Sequence, residues 1–491
     1  MTIIGEQVKT YAEKNPNKLA IQVDKDKVTY KELILHIEQI QQQLLQEVKP
    51  IRGKTIAILL ENDISWMEVF LAVVNLGGIA VPIKVDGEQK YVKAILEDVK
   101  PNIVVTREKR VEDFPFVQQY HILSMSSLYQ LPQRFLKPEK LDGKDLFFIG
   151  YERADPEELL GITRSHQSWE NSFWEEEASL FITEEDTILL PGALSSHEFL
   201  YTAVHSLHIG ATILLKRNFS PGDVIQSMKA GTTMYVTPSM YEQLKAEEDF
   251  SEQCTLQKII ITCTNWSVHE REEAITLLPH TDIYACFAEK ELGKVSIQEV
   301  KDPTIVQGSI GKPLASVKLS VRDQDGIEVE QGEVGQLYVS SPWLFAGYHN
   351  KKRETDEVFV GDWASVGHLA YQDANGQMIL IGHKNTVIQL ENRVIYPEEV
   401  EEVLLTHPSL EEVLVTQLER DEGLRVAVLY KNRTNQTITH EEIQTLCQEN
   451  LEFDKCPDEY IEVSSFYYKS SGEIDIKKMK KWLSQVEVQR L

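Results

Sequence analysis

The stretch GSIGKPLASVKLSVRDQDGIEVEQGEVGQLYVSSPWLFAGY, residues 308–348, sets short apolar runs such as KLSVR and GQLYVSS between turn signals such as DQDG and EQGE. That alternation predicts a small β-rich subdomain. The text on either side is different. Residues 1–130 alternate strands and helices: a hairpin in KLAIQVDKDKVTY, an amphipathic helix in YKELILHIEQIQQQLLQEV, then TIAILL, a helix, GIAVPI, the helix QKYVKAILEDV and the strand NIVVT. The same rhythm resumes over 185–300 with TILLPG, a helix at 197–208, ATILLK, TMYVTP, KIIIT and DIYACF. Repeated β–α–β units predict largely parallel, helix-covered sheets. Beyond about 383, VIQLENRVIYPEEVEEVLL and LEEVLVTQLERDEGLRVAVLYK read as strands and a helix of a separate small α+β unit, ending in a charged tail. The expected fold is therefore α/β: a large N-terminal domain of several subdomains over 1–382, a hinge about 383–385, and a small C-terminal domain over 386–491.

The chain has 491 residues, beyond the size of one ordinary core. A formal net charge of −27 disfavours nucleic acid and anionic membranes as partners. The most apolar stretch, WMEVFLAVVNLGGIAVPI (66–83), is interrupted by Glu68, Asn75 and a glycine pair, so it reads as a buried helix and strand and not as a membrane span. Five cysteines lie far apart without a CxxC pair, the pattern of reduced thiols, and from the polar N-terminal text MTIIGEQVKTYAEK no signal peptide is expected. The expected location is cytoplasmic, with no membrane insertion. No His/Cys/Asp cluster has metal-ligand spacing.

Residues 149–166, IGYERADPEELLGITRSH, pose the chemical question. The strand-like DLFFIG leads in and the helix-like SHQSWENSFWEEEASLF leads out, a junction at which many enzymes cradle phosphates with glycines and a lysine. Here the loop carries Glu152, Asp155, Glu157 and Glu158 against Arg153. Two like charges about 4 Å apart cost on the order of 4 kcal/mol at an effective dielectric near 20, so such a loop repels a triphosphate. Asp155-Pro156-Glu157-Glu158 also fits an ordinary helix start: a capping Asp, Pro at the first position and first-turn acids.

The 308–348 stretch, YPEEVEEVL (396–404) and LLPGALSSHEFLYTAVHSLHIGAT (189–212), in this order, resemble the adenylate-forming superfamily of acyl-CoA synthetases, AMP-binding adenylation domains and luciferases, nearest its acyl-CoA ligase branch. The resemblance covers essentially the whole chain. It implies ATP-dependent formation of an acyl-adenylate, followed by transfer to a thiol after the C-terminal domain rotates. It also implies a phosphate loop like TSGTTGxPKG, and every glycine of that pattern between Gly150 and Gly161 is missing, with Leu160 at the lysine. Cys263-Thr264-Asn265-Trp266 stands at the adenine-side segment. In FAEKE (287–291), Lys290 replaces a phosphate-facing hydroxyl, and Glu291 retains the position of the Mg²⁺-binding acid; an ordinary helix-start acid is the other reading of Glu291. His368 replaces the ribose-gripping carboxylate, and an imidazole accepts one contact where a carboxylate accepts two. His383 replaces a ribose-contacting Arg, and Glu473 in SSGEID replaces the adenylating lysine. Glu391-Asn392 fills the glycine pair of the pantetheine tunnel.

These losses inside an otherwise intact scaffold predict a catalytically inactive or impaired homologue, a pseudoenzyme with no intact catalytic residue and no expected cofactor. Such a protein would bind an acyl ligand or a protein partner, either an active paralogue or a carrier protein. The alternative is an active acid–CoA ligase with unusual nucleotide handling, using Mg, ATP and CoA. His197, Tyr201 and Trp266, with Trp169 and Tyr235, are expected around an acyl pocket, although core packing explains aromatic residues there as well. His368 and His383 are expected to be hydrogen-bonded or solvent-facing and not ligands.

Overall fold

The computed structural model describes residues 3–130, 140–151, 159–263, 266, 268–390, 393–420, 423–434, 437–468 and 474–483. Glu152, Asp155, Glu157, Thr264, Asn265, Glu391, Asn392 and Glu473 lie outside the described residues.

Two large sheets form the body. In the nine-stranded sheet, Leu19–Val23, Thr212–Leu215, Thr187–Leu190, Thr233–Val236, Lys258–Thr262 and Asp282–Glu289 run parallel, with antiparallel strands at both edges. A seven-stranded sheet places Thr55–Leu59 between Ile79–Pro82 and Ile103–Thr106. Their strands are near-continuous Ile, Val and Leu because helices cover both faces. The helix Ile64–Asn75 touches strands of both sheets. Trp66, Val69, Phe70, Leu71, Ala72, Val73 and Val74 are each at most 1% exposed, while Glu68 and Asn75 on its remaining face bond His36 Nδ1 (2.7 Å), the Tyr129 hydroxyl and the Ile4 carbonyl (2.7 Å). A helix with so broad an apolar surface is enclosed at about 1.5–3 kcal/mol for each large side chain removed from water. It wedges the two sheets apart at a fixed distance.

The helix Tyr30–Glu47 starts at a capping box, with Thr29 N–H donating to Glu32 Oε2 (2.9 Å) and Glu32 N–H donating to Thr29 Oγ1 (3.3 Å). The stretch that opened the sequence reading forms the expected β-rich region: Lys318–Arg322 pairs with Gly335–Ser340 in a six-stranded antiparallel sheet. The small C-terminal domain is a three-stranded sheet, Leu410–Arg420, Gly423–Asn432 and Glu459–Glu462, packed against Pro397–Leu405 and His440–Asn450.

One local expectation is corrected. Residues 161–165 are not loop: Gly161–Ser165 is a strand, antiparallel to Leu146–Tyr151 on one side and to Gly347–Tyr348 on the other. Two antiparallel strands, Leu146–Tyr151 and Gly161–Ser165, thus precede the helix His166–Leu180. Ile162 and Thr163 find cross-strand partners in Gly150, Ile149, Tyr348 and Gly347, contacts of long sequence separation that no local pattern signals. All five cysteines are free, with Cys286 and Cys447 buried. Among the described residues no helix is long and apolar enough to cross a membrane.

Candidate functional site

The helix His166–Leu180 presents Trp169, Ser172, Phe173 and Glu176 at helical spacing to the protein interior. Opposite stands the helix His197–His208 with His197 and Tyr201, and between them run the strands carrying Tyr235 and Lys294. Together with Arg164 they line a cavity of about 270 Å³. Trp169 and Tyr201 meet edge to face (5.3 Å, 78°), and Trp169 also packs on His197 (5.4 Å). His197, Tyr201, Trp169 and Tyr235 therefore take the expected pocket positions. Trp266 does not: it packs edge-on against Tyr241 (5.7 Å, 84°) in a separate cluster with Val236, Leu244 and Ile261. Its bulk serves a second core, where the helix Pro238–Lys245 covers the sheet.

The pocket is more ionic than its aromatic text suggested. Glu176, 0% exposed, accepts from Lys294 Nζ (2.5 Å) and from the Tyr235 hydroxyl (2.8 Å) at one oxygen, Oε1. His205 Nδ1 stands 3.9 Å from the other oxygen. Lys294 Nζ also lies 5.7 Å from the ring centres of Tyr201 and Tyr235. Arg164, 1% exposed, donates to the carbonyls of Trp343 (2.6 Å) and Lys290. Its Nε has no hydrogen-bond partner among the described residues, and neither does His197 Nδ1. Burial, and then the neighbouring Arg164 and Lys290, keep the His197 imidazole neutral.

Sequence reading missed Arg164, Lys294 and Glu176. The run WEEEAS suggests a solvated face, yet Glu176 lies seven residues after Trp169 and three after Phe173, and that spacing puts it on the buried side. Nothing local distinguishes Lys294 or Arg164.

The nucleotide-side residues converge, but mainly on one another. Glu289 ends the strand Asp282–Glu289, and its Oε1 lies 2.8 Å from His368 Nε2. The His368 ring is edge-on to Phe287 (5.4 Å) and to His383 (5.6 Å). His383 donates from Nε2 to the Val366 carbonyl (2.8 Å) and accepts at Nδ1 from Asn385 N–H (3.1 Å), so both ring nitrogens are occupied. Gly367 has φ +104°, and a Cβ there would come within 2.8 Å of His383 Nε2, so glycine is what lets the rings close together. Glu291 is not a helix-start acid. It sits in the turn between the strands Asp282–Glu289 and Gly293–Glu299, where Tyr348 O–H donates to it at 2.7 Å. Burial raises its pKa, which works against the ionised form that a Mg²⁺ ligand needs. Among the described residues no group of three or more His, Cys, Asp or Glu is placed to hold a metal. Cys263 is half-buried, its N–H bonded to the Cys286 carbonyl (3.0 Å), and burial pushes its thiol pKa well up. Leu160 is partly buried at the foot of the strand Gly161–Ser165.

Asn62 holds the loop that carries His197 into the pocket. It donates to the carbonyls of Gly192 (3.1 Å) and Lys216 (2.7 Å) and accepts from Leu194 N–H (2.8 Å). Asn62→Ala is expected to cost about 2–3 kcal/mol in denaturant unfolding, because three backbone groups lose their partner. An unchanged midpoint would show that water replaces the side chain.

A two-sheet body with a small α+β C-terminal domain and a pocket between helices is the architecture of adenylate-forming enzymes. The AMP-binding enzyme family model matches residues 8–151 and 161–349, and the chain belongs to that family. The chain is 27% identical to an uncharacterized acyl-CoA ligase, YhfT, of Bacillus subtilis, over 96% of this chain and 97% of the relative. It is 23% identical to a 2-succinylbenzoate–CoA ligase of Bacillus cereus, over 90% and 91%. Among solved structures it resembles ATP-bound MatB of Rhodopseudomonas palustris (TM-score 0.87, 18% identity, 97% and 98% covered). It also resembles AMP-bound O-succinylbenzoate coenzyme A synthetase of Bacillus subtilis (TM-score 0.84, 21% identity, 98% of each chain). The chain is acyl-CoA-ligase-like and lies in the acyl-CoA ligase branch of the superfamily.

Proposed function

We propose that this protein keeps the acyl-binding pocket of an acid–CoA ligase while acyl-adenylate formation is lost or severely slowed. The observation that carries this reading is the His368–Glu289 pair. The group at the ribose-gripping position is an imidazole bonded within the protein at 2.8 Å, beside a His383 whose two nitrogens are both taken. ATP and Mg²⁺, which the family implies, fit the described residues poorly. Glu291 at the metal position is bound to Tyr348, and its pKa is raised by burial. The acidic loop 152–158 and Glu473 support the reading from sequence alone. The chain then acts in the cytoplasm by holding an acyl ligand or by docking to an active paralogue or carrier protein, its small domain joined at 383–385.

The opposite reading, an active ATP-dependent acid–CoA ligase, is favoured by the ligase activities in the names of its relatives and by the retained Glu291. Acid-dependent pyrophosphate release with Mg·ATP separates the two. The expected result is release no greater than from heat-killed protein across short, aryl and long-chain acids. Clear release with any of them would establish the active ligase and overturn the proposal.

A further inference from the structure

We infer that the pocket selects a compact carboxylic acid bearing a neutral hydroxyl at the end remote from its carboxyl group. This rests on the acyl-binding reading above and adds the substrate class. At about 270 Å³ the cavity lies just below the range of about 300–1,000 Å³ usual for small-molecule sites, so a long alkyl chain does not fit.

The two groups of polar side chains have different needs. Arg164 is fully buried and cationic, its Nε–H is unpartnered among the described residues, and the unpartnered Nδ1 of His197 lines the same cavity. A buried guanidinium whose other donors bond only carbonyls lacks a counter-anion in direct contact, and a ligand carboxylate supplies one.

The second group is Lys294, Glu176, Ser172 and Tyr201. Glu176 already neutralises Lys294, so a second ligand carboxylate would add an uncompensated negative charge beside it. An apolar terminus fails differently. Lys294 carries three N–H donors, of which Glu176 takes one and the tyrosine faces satisfy the charge only in part. Ser172 Oγ donates to the Trp169 carbonyl (2.7 Å), so Tyr201 O–H is the donor, to Ser172 (2.8 Å) or to Glu176, and the Tyr201 oxygen keeps a lone pair to accept from a ligand. A hydroxyl accepts from Lys294 and donates to Tyr201. A methyl group does neither, and a carboxylate cannot donate.

Isothermal titration of the full chain without nucleotide, using 5-hydroxypentanoate, hexanoate, glutarate and palmitate, tests the assignment. Hexanoate matches the hydroxy acid atom for atom, and glutarate replaces its hydroxymethyl end with a carboxylate. The hydroxy acid is expected to bind at least about tenfold more tightly than either, with no binding by palmitate. Tyr201→Phe, which keeps the ring, should weaken the hydroxy acid about tenfold and leave hexanoate within about twofold. Hexanoate or glutarate binding as tightly as the hydroxy acid, palmitate binding, or a Tyr201→Phe variant that weakens both acids alike would overturn the selectivity. Silence from all four acids would overturn the acyl-binding reading as well. Pyrophosphate release in the separate assay would sink the non-adenylating reading and leave this selectivity standing.

Discussion

Lys294→Met is expected to destabilise the chain by about 3–5 kcal/mol, read as a lowered denaturant midpoint at neutral pH. The loss comes from Glu176: at 0% exposure it would be left with the Tyr235 hydroxyl, and its charge would have no counter-ion within hydrogen-bond range. The double variant Glu176→Gln/Lys294→Met removes both charges at similar volume and should recover most of the loss. The pH dependence fixes the sign. Burial pushes the Glu176 pKa up, but Lys294, His205 and Tyr235 outweigh it and hold the group down to about 2. A carboxylate with a depressed folded pKa contributes stability that is present above its unfolded value near 4.3 and lost as pH falls towards 2. Without Lys294 the carboxyl instead protonates readily, which relieves the uncompensated charge. The gap between parent and Lys294→Met should therefore narrow as pH falls from about 6 to about 3. A gap constant across that range would mean that the lysine acts through packing and not through charge.

Arg164→Met should cost about 2–4 kcal/mol, since the carbonyls of Trp343 and Lys290 would lose a charged donor at a buried position. Arg164 belongs to the strand Gly161–Ser165, and its two acceptors belong to separate segments, so one side chain ties three parts of the pocket wall. Burial lowers its pKa to about 10, which still leaves it protonated at neutral pH. Arg164→Lys should recover only part of the loss, because an ammonium lacks the planar fork that reaches both carbonyls. Full recovery with lysine would show that charge alone is what the site requires.

Much of the framework was legible in the sequence because periodicity reports burial. TIAILL, GIAVPI and KIIIT are apolar throughout and became central strands. The helix predicted over 197–208 spans His197–His208. The strand Gly161–Ser165 was hidden because its partners are ten or more residues away on one side and nearly two hundred on the other. Site residues followed the same division. His197 and Tyr201 sit on a helix face whose direction can be read. Trp266 follows a strand end, and its side chain went to the other core. Lys294, Arg164 and Glu176 are ionic groups whose burial depends on partners far apart in the chain, and charge in a sequence ordinarily signals solvent.

The wedge helix Ile64–Asn75 has a kinetic consequence. Packed against both sheets by large buried side chains, with Glu68 and Asn75 hydrogen-bonded on its remaining face, it ties the two sheets together, so the walls of the cavity are formed before a ligand arrives. Uptake of a small acid should then be a single concentration-proportional phase in stopped-flow, without the plateau that a slow rearrangement imposes.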